Sequence, residues 1–239
     1  MQKNLKVGII VADVDEYRPL SDFIEKGEFK PFKMLLQSGH SFSVSGAKNT
    51  AEVISAVCGI GKVNAAAAAM KLIDEGCSII LNYGLSGGIS GVRRGDICIP
   101  ERYLEHDFDL TGIGYKPCEK PAQDRYIYGC DNRIADIFRN IIPNIKGGTA
   151  VSGDHFVCNC DERSFLLETF GANLCDMETA AIAYVCYASG TPFAALRRIS
   201  DDAGDDAADS YRDMNTDGDI SLFKAVLDCI RIIADSESF

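Results

Sequence analysis

The stretch VGIIVADVDE, residues 7–16, decides the fold. Its first six residues, Val7 to Ala12, carry no charge and no polar-apolar alternation, the pattern of a short strand buried on both faces of a sheet. Runs of the same kind return as Ser78 to Asn82, Asp96 to Pro100 and Pro192 to Ile199, while Phe32 to Leu36, Ser41 to Ser45 and Ala51 to Cys58 read as an early meander. Segments of helical period lie between them. In Lys62 to Glu75, Ala66, Met70 and Ile73 fall on one face; Ile134, Ile137, Phe138 and Ile141 do likewise before Pro143 ends the pattern. Near the end, Leu222, Phe223, Val226, Leu227, Ile230 and Ile233 form one stripe, with Lys224, Asp228 and Arg231 opposite. Strands alternating with helices predict an α/β layer fold with a mainly parallel sheet. No repeat or linker divides residues 1–239, which read as a single domain. In such sheets ligands gather beyond the carboxyl ends of the strands, and the opening stretch places Glu16 there.

Composition narrows the function classes. With 35 acidic against 24 basic residues the formal charge is −11, so a grip on phosphate backbones by clustered Lys and Arg is excluded, and no nucleic-acid partner is expected. Ten cysteines are scattered mostly through apolar runs, as reduced thiols acting as small hydrophobes are. Cys158-Asn159-Cys160 is one residue too tight for a CxxC pair. His40, His106 and His155 lack zinc-site spacing, so no metal is expected. The apolar run at Val7 is too short for a secretory core and meets acids at once, and no stretch approaches the ~20 apolar residues of a membrane span. A cytoplasmic protein without membrane partners is the expectation.

Besides Glu16, two acidic residues directly follow apolar runs: Glu178 after Asn173 to Met177, and Asp201 after Ile199-Ser200. Position alone leaves each open between helix cap and catalyst. Gly84-Leu85-Ser86-Gly87-Gly88, following the strand that ends at Asn82, would let a backbone approach a ligand closely, or simply turn the chain. Gly59-Ile60-Gly61-Lys62 imitates a phosphate loop, but Val63 stands where Ser or Thr belongs and the first glycine of the pattern is missing; Asn64 likewise excludes GxGxxG. Asp213, Asn215, Asp217, Gly218, Asp219 and Ile220 follow a calcium loop of the EF-hand type until its twelfth position, where Lys224 puts a cation in place of the bidentate Glu. A solvated loop capping the last helix at Asp217 or Asp219 is the preferred reading.

Taken in order, GIIVADVDE (8–16), CGIGKVNAA (58–66), NYGLSGGI (82–89), VSGDHF (151–156), CDMETAAIA (175–183) and RRISDDA (197–203) resemble the nucleoside phosphorylase and nucleosidase superfamily, with the nearest likeness to bacterial 5'-methylthioadenosine/S-adenosylhomocysteine nucleosidases. The resemblance spans nearly the whole chain. It implies a three-layer α/β sandwich whose central sheet is mixed and partly closed, a homodimer, no cofactor, and hydrolysis of the bond between adenine and ribose. Carried over residue by residue, it implies that Glu16 activates the water, Met177 and Glu178 lie against the ribose, and Asp201 is the general acid of the purine. Phe156 would stack on the base, the backbone of Val157 would read the adenine edge, and Ser200 would help hold Asp201. Arg197 would lie near the water, Gly87 would let the strand approach the substrate, and Tyr211 would wall the 5'-alkylthio group.

The residue types suit that chemistry. Adenine leaves poorly until N7 is protonated, so an acid is needed there while the sugar gains oxocarbenium character. Asp201 must therefore hold a proton at neutral pH, which for an aspartate that ordinarily titrates at ~3.9 costs about 4 kcal/mol. An ionised Glu178 would stabilise the cationic sugar. The superfamily's phosphorylases carry an Arg and a Ser or Thr where this chain reads Asn82-Tyr83-Gly84-Leu85, so water is the expected nucleophile. Leu85 also departs from the Ser usual in the nucleosidases. Hydrolysis of futalosine-type nucleosides, which would use the same three acidic residues, and phosphate-dependent cleavage are the alternative readings.

Overall fold

In the computed structural model the described residues are 5–24, 29–34, 37–215, 220–237 and 239. The strands are β1 (Lys6–Val11), β2 (Lys30–Met34), β3 (Gln37–Ser45), β4 (Thr50–Val57), β5 (Ile79–Gly88), β6 (Ile97–Cys98), β7 (Arg102–Glu105), β8 (Tyr128–Gly129), β9 (Thr149–Ser152), β10 (Leu174–Asp176) and β11 (Phe193–Asp201). The helices are α1 (Val14–Ile24), α2 (Lys62–Asp74), α3 (Asn132–Ile141), α4 (Cys160–Phe170), α5 (Thr179–Ser189), α6 (Ala207–Asn215) and α7 (Ile220–Asp235). All eleven strands join one mixed sheet in the order β2-β3-β4-β1-β5-β10-β9-β7-β8, with β11 pairing both β5 and β6. The expected meander is the antiparallel β2-β3-β4 edge, and β4 then pairs in parallel with β1. Residues 35–36, at the end of its first predicted strand, and 216–219, the part of the calcium-like loop that holds the predicted caps Asp217 and Asp219, lie outside the described residues.

Strand alternation builds the two helical layers. Val7, Ile9 and Val11 of β1, Ile79, Leu81 and Tyr83 of β5, and Ala194 and Leu196 of β11 face a core shared with α1, α3 and α7. Ile10, Ile80, Ala195 and Ile199 face the opposite core, filled by α2 and α5. The stripe predicted on the last helix is buried as expected. The face predicted on α2 is corrected: Ala65, Ala68, Ala69 and Leu72 are buried, Ala66 and Ile73 lie at the edge, and Met70 is exposed. Alanines on α2 meet Ala180, Ala181 and Ala183 of α5, so the two helices pack through small side chains and the larger Met points outward. No helix among the described residues is long and apolar enough to cross a membrane.

A second correction concerns the glycine-rich segment, which neither turns nor loops: β5 runs on to Gly88. Its first half lies between β1 and β11, its last residues between β11 and β10, so the sheet forks along this strand. Glycine is needed because the neighbours are polar and close. A Cβ on Gly84 would sit 2.7 Å from Arg197 Nη1 and 2.9 Å from Glu16 Oε2; one on Gly87 would sit 3.0 Å from Asp201 Oδ1. The bare backbone gives three site side chains their room.

Candidate active site

At the carboxyl ends of β1, β5, β10 and β11 lies a cavity of about 320 Å³, lined among others by Glu16, Gly87, Phe156, Val157, Met177, Glu178, Ser200, Asp201 and Tyr211. Nine of the ten residues expected at the site meet there, although Glu16 and Tyr211 are separated by nearly the whole chain. Arg197, the tenth, is not a lining residue. It is 1% exposed and lies behind the wall on the α2/α5 side of the sheet.

Asp201 ends β11 just after a register shift that re-aims the strand. Ser200 Oγ donates to its Oδ2 at 2.7 Å and the Ala203 amide to its Oδ1 at 2.8 Å. That second bond accompanies a left-handed backbone at Ala203, φ 52°, a conformation that costs a non-glycine residue ~1 kcal/mol or more. Burial raises the pKa of Asp201 above its ordinary value, against the pull of both donors. Ser200 Oγ also lies 3.2 Å from the carbonyl of Ser86. When Asp201 is neutral, its hydroxyl donates to Ser200 and the Ser200 hydrogen turns to Ser86; when it is ionised, Ser200 donates to it.

Glu178 follows β10 as the N-cap residue of α5, but its side chain does not cap the helix. Asp176 does so instead: its Oδ1 accepts from the amides of Glu178 and Thr179 at 3.1 and 3.0 Å. The Glu178 carboxyl is thereby free to enter the cavity, where Oε1 accepts from the Gly61 amide at 2.9 Å. Glu178 is 5% exposed, and burial pushes its pKa up while the charge of Arg197 pulls it down.

Glu16 stands in the first turn of α1. Its Oε1 accepts from the Leu85 amide at 2.8 Å, while Oε2, also buried, has no hydrogen-bond partner among the described residues. Burial pushes its pKa up to about 8, against the pull of the Leu85 amide and Arg197. Behind Glu16 and Glu178 stands the Arg197 guanidinium, and that cation is already committed. Arg197 pairs with Asp176 at 3.2 Å, donates from Nη2 to Asn82 Oδ1 at 2.6 Å and from Nε to Thr179 Oγ1 at 3.0 Å. Asn82 Nδ2 in turn donates to the Ile10 carbonyl at 2.9 Å, which fixes its oxygen toward Arg197.

At the other end, the ring of Phe156 is 40% exposed and meets Tyr211 edge to face at 5.6 Å. Val157 beside it is buried. Leu85 lines the cavity too, as do Ala12, Asp13, Ile60, Ser86, His155, Cys175 and Asp176, which were not singled out from sequence. Each lies inside a motif already quoted, so adjacency was the available signal. For Asp176 the decisive partner, Arg197, is 21 residues away in sequence and invisible to local pattern.

Burial raises the pKa of all three carboxyls above their ordinary values, and the cavity sets an apolar, aromatic wall opposite them. It suits an acid at one end, an anion near the middle and a base at the other. The phosphorylase superfamily pattern matches residues 6–231. A 5'-methylthioadenosine/S-adenosylhomocysteine nucleosidase of Oceanobacillus iheyensis is 33% identical over 214 residues, covering 87% of this chain and 90% of that one. The crystal structure of such a nucleosidase from Neisseria meningitidis in complex with methylthio-immucillin-A is 28% identical, with TM-score 0.85, over 95% of this chain and 99% of that one. The fold is also that of the futalosine hydrolase of Helicobacter pylori, with TM-score 0.87 at 24% identity, over 95% of this chain and 97% of that one.

Proposed function

The chain belongs to the phosphorylase superfamily, and from that premise we propose that it hydrolyses the N-glycosidic bond of purine nucleosides of the 5'-methylthioadenosine/S-adenosylhomocysteine type, releasing adenine and the 5'-thioribose. The observation that carries this reading is the convergence of Glu16, Glu178 and Asp201 on one cavity, each with its pKa raised by burial. Asp201, its pKa raised by burial, gives its proton to purine N7 as the glycosidic bond stretches. The Ser200 hydroxyl and the Ala203 amide then donate to the new carboxylate. Phe156 stacks on the base, and the Val157 backbone reads its edge. Glu178 and Met177 hold the ribose, and the Glu178 charge gains strength as the sugar becomes cationic.

Glu16 takes the proton of the attacking water through Oε2, the acceptor that no described residue occupies. A pKa of about 8 makes it a strong base once ionised, and the cationic sugar favours that ionisation. Gly84 and Gly87 leave room for these carboxyls, Arg197 braces the Glu16 end from behind, and Tyr211 walls the 5' substituent.

Water rather than phosphate is supported by the side chains at that end. Asp13 and Glu16 line it, Leu85 contributes no donor side chain, and Arg197 is spent on Asp176, Asn82 and Thr179. An incoming phosphate would meet acidic side chains in place of donors, with the Arg197 cation engaged elsewhere. Adenine release measured with and without inorganic phosphate tests the reading. Equal rates are expected; a strict phosphate requirement would make the chain a phosphorylase. A parallel run with a futalosine-type nucleoside separates the alternative substrate class.

A further inference from the structure

The false phosphate loop Gly59-Ile60-Gly61-Lys62 has a use of its own. The first amides of α2, where a phosphate would sit, are taken by two carboxylates from distant parts of the chain. Gly61 N–H donates to Glu178 Oε1 at 2.9 Å, and Lys62 N–H donates to Asp154 Oδ1 at 2.7 Å. Gly61 is the N-cap residue and has no side chain to cap with, so Asp154 caps α2 from outside. The Lys62 side chain, 16% exposed, reaches Asp107 at 2.5 Å and Glu105 at 2.9 Å, and Asp107 Oδ2 accepts from the Asp154 amide at 2.9 Å. Glu105 is further bound by Lys120. The bonds close a circuit: Lys62 side chain to Asp107, Asp107 to the Asp154 backbone, Asp154 side chain back to the Lys62 backbone. One arm of the circuit carries Gly61, which holds Glu178; the other carries the segment that continues into His155 and Phe156, both lining the cavity.

We propose that Lys62 is a positioning residue for the nucleoside site, clamping the 59–62 loop to the 153–156 segment so that Gly61 aims Glu178 at the 2'-hydroxyl of the ribose. The proposal rests on the nucleosidase reading above. Lys62 touches no substrate; it acts through the Gly61 amide. The effect of losing it must therefore depend on the 2'-hydroxyl that Glu178 holds, which a general loosening of the fold would not.

The test compares Lys62→Met and Lys62→Arg with the native protein on 5'-methylthioadenosine and on its 2'-deoxy counterpart. One hydrogen bond to a charged group sets the scale, about 10- to 100-fold. Lys62→Met should lower kcat/KM on the ribonucleoside by that amount but on the deoxynucleoside by no more than ~3-fold, with part of the loss in kcat. Lys62→Arg, which keeps a cation for Asp107 and Glu105, should recover most of it. If Lys62→Met does not melt cooperatively, Asp154→Ala replaces it. Asp154 is exposed, and its loss opens the same circuit while leaving Lys62 paired with Glu105. Equal losses on both substrates, or none on either, overturn the proposal. A native protein inactive on both substrates overturns the nucleosidase reading itself.

Discussion

Glu16→Gln should stabilise the protein and silence it at once. Burial lifts the carboxyl of Glu16 from an ordinary 4.5 to about 8 in the folded state. Between those values the unfolded chain releases this proton while the folded chain retains it, so stability is complete below 4.5 and falls as pH rises toward 8. Each unit is worth ~1.4 kcal/mol, which puts the cost near 3 kcal/mol at pH 7. A glutamine does not titrate, and its carbonyl still accepts the Leu85 amide. The variant should therefore gain on the native protein by about 1.4 kcal/mol per pH unit across this window. For a chain of this length, that is roughly 5–10 °C in Tm between pH 5 and pH 7. Asp201 and Glu178 titrate in both proteins and largely cancel in the difference; loss of any neutral contact shifts it equally at every pH. Turnover should drop ~10²–10⁴-fold, the usual worth of a general base. Scanning calorimetry at half-unit steps from pH 5 to 8, with adenine release on the same samples, gives both numbers. A Tm difference that stays flat with pH refutes the buried proton, and turnover within a few fold of native refutes the base.

Three further outcomes are expected. Asp201→Asn fits the same cradle of Ser200 and Ala203 but has no acidic proton to give, so adenine release should fall ~10²–10⁴-fold while calorimetry still detects nucleoside binding. Gly84→Ala puts a methyl group 2.7 Å from Arg197 Nη1 and 2.9 Å from Glu16 Oε2; it should cost about 1–3 kcal/mol in urea melts and lower kcat as Glu16 is displaced. The homodimer implied by the family resemblance should appear in light scattering as twice 25.9 kDa, and a monomeric mass would remove it.

The layer architecture was legible from local pattern because burial on both faces of a strand, or on one face of a helix, leaves its period in the chain. Val7 to Ala12, the stripe on α7 and the ridge of α3 needed no knowledge of their partners. On α2 the same logic failed. Large residues at helical spacing suggested the buried face, whereas contact with α5 selected the alanines, a choice set by how closely two helices approach. Gly84 to Gly88 likewise lacks the side chains that mark a strand, and only the proximity of Arg197, Glu16 and Asp201 explains why strand β5 carries them.

For the site, sequence determined the residue types and their places after apolar runs. What it left to tertiary structure was their state. Whether Asp201, Glu178 or Glu16 keeps a proton depends on water being excluded by segments from every part of the chain. The donors on these carboxyls are equally non-local: Gly61 lies 117 residues from Glu178, and Leu85 lies 69 from Glu16. A linear pattern records which groups are present and which are buried. Solvation and partner choice are properties of the packed cavity, and they set how far each carboxyl's pKa rises and why the buried guanidinium of Arg197 stands behind the wall.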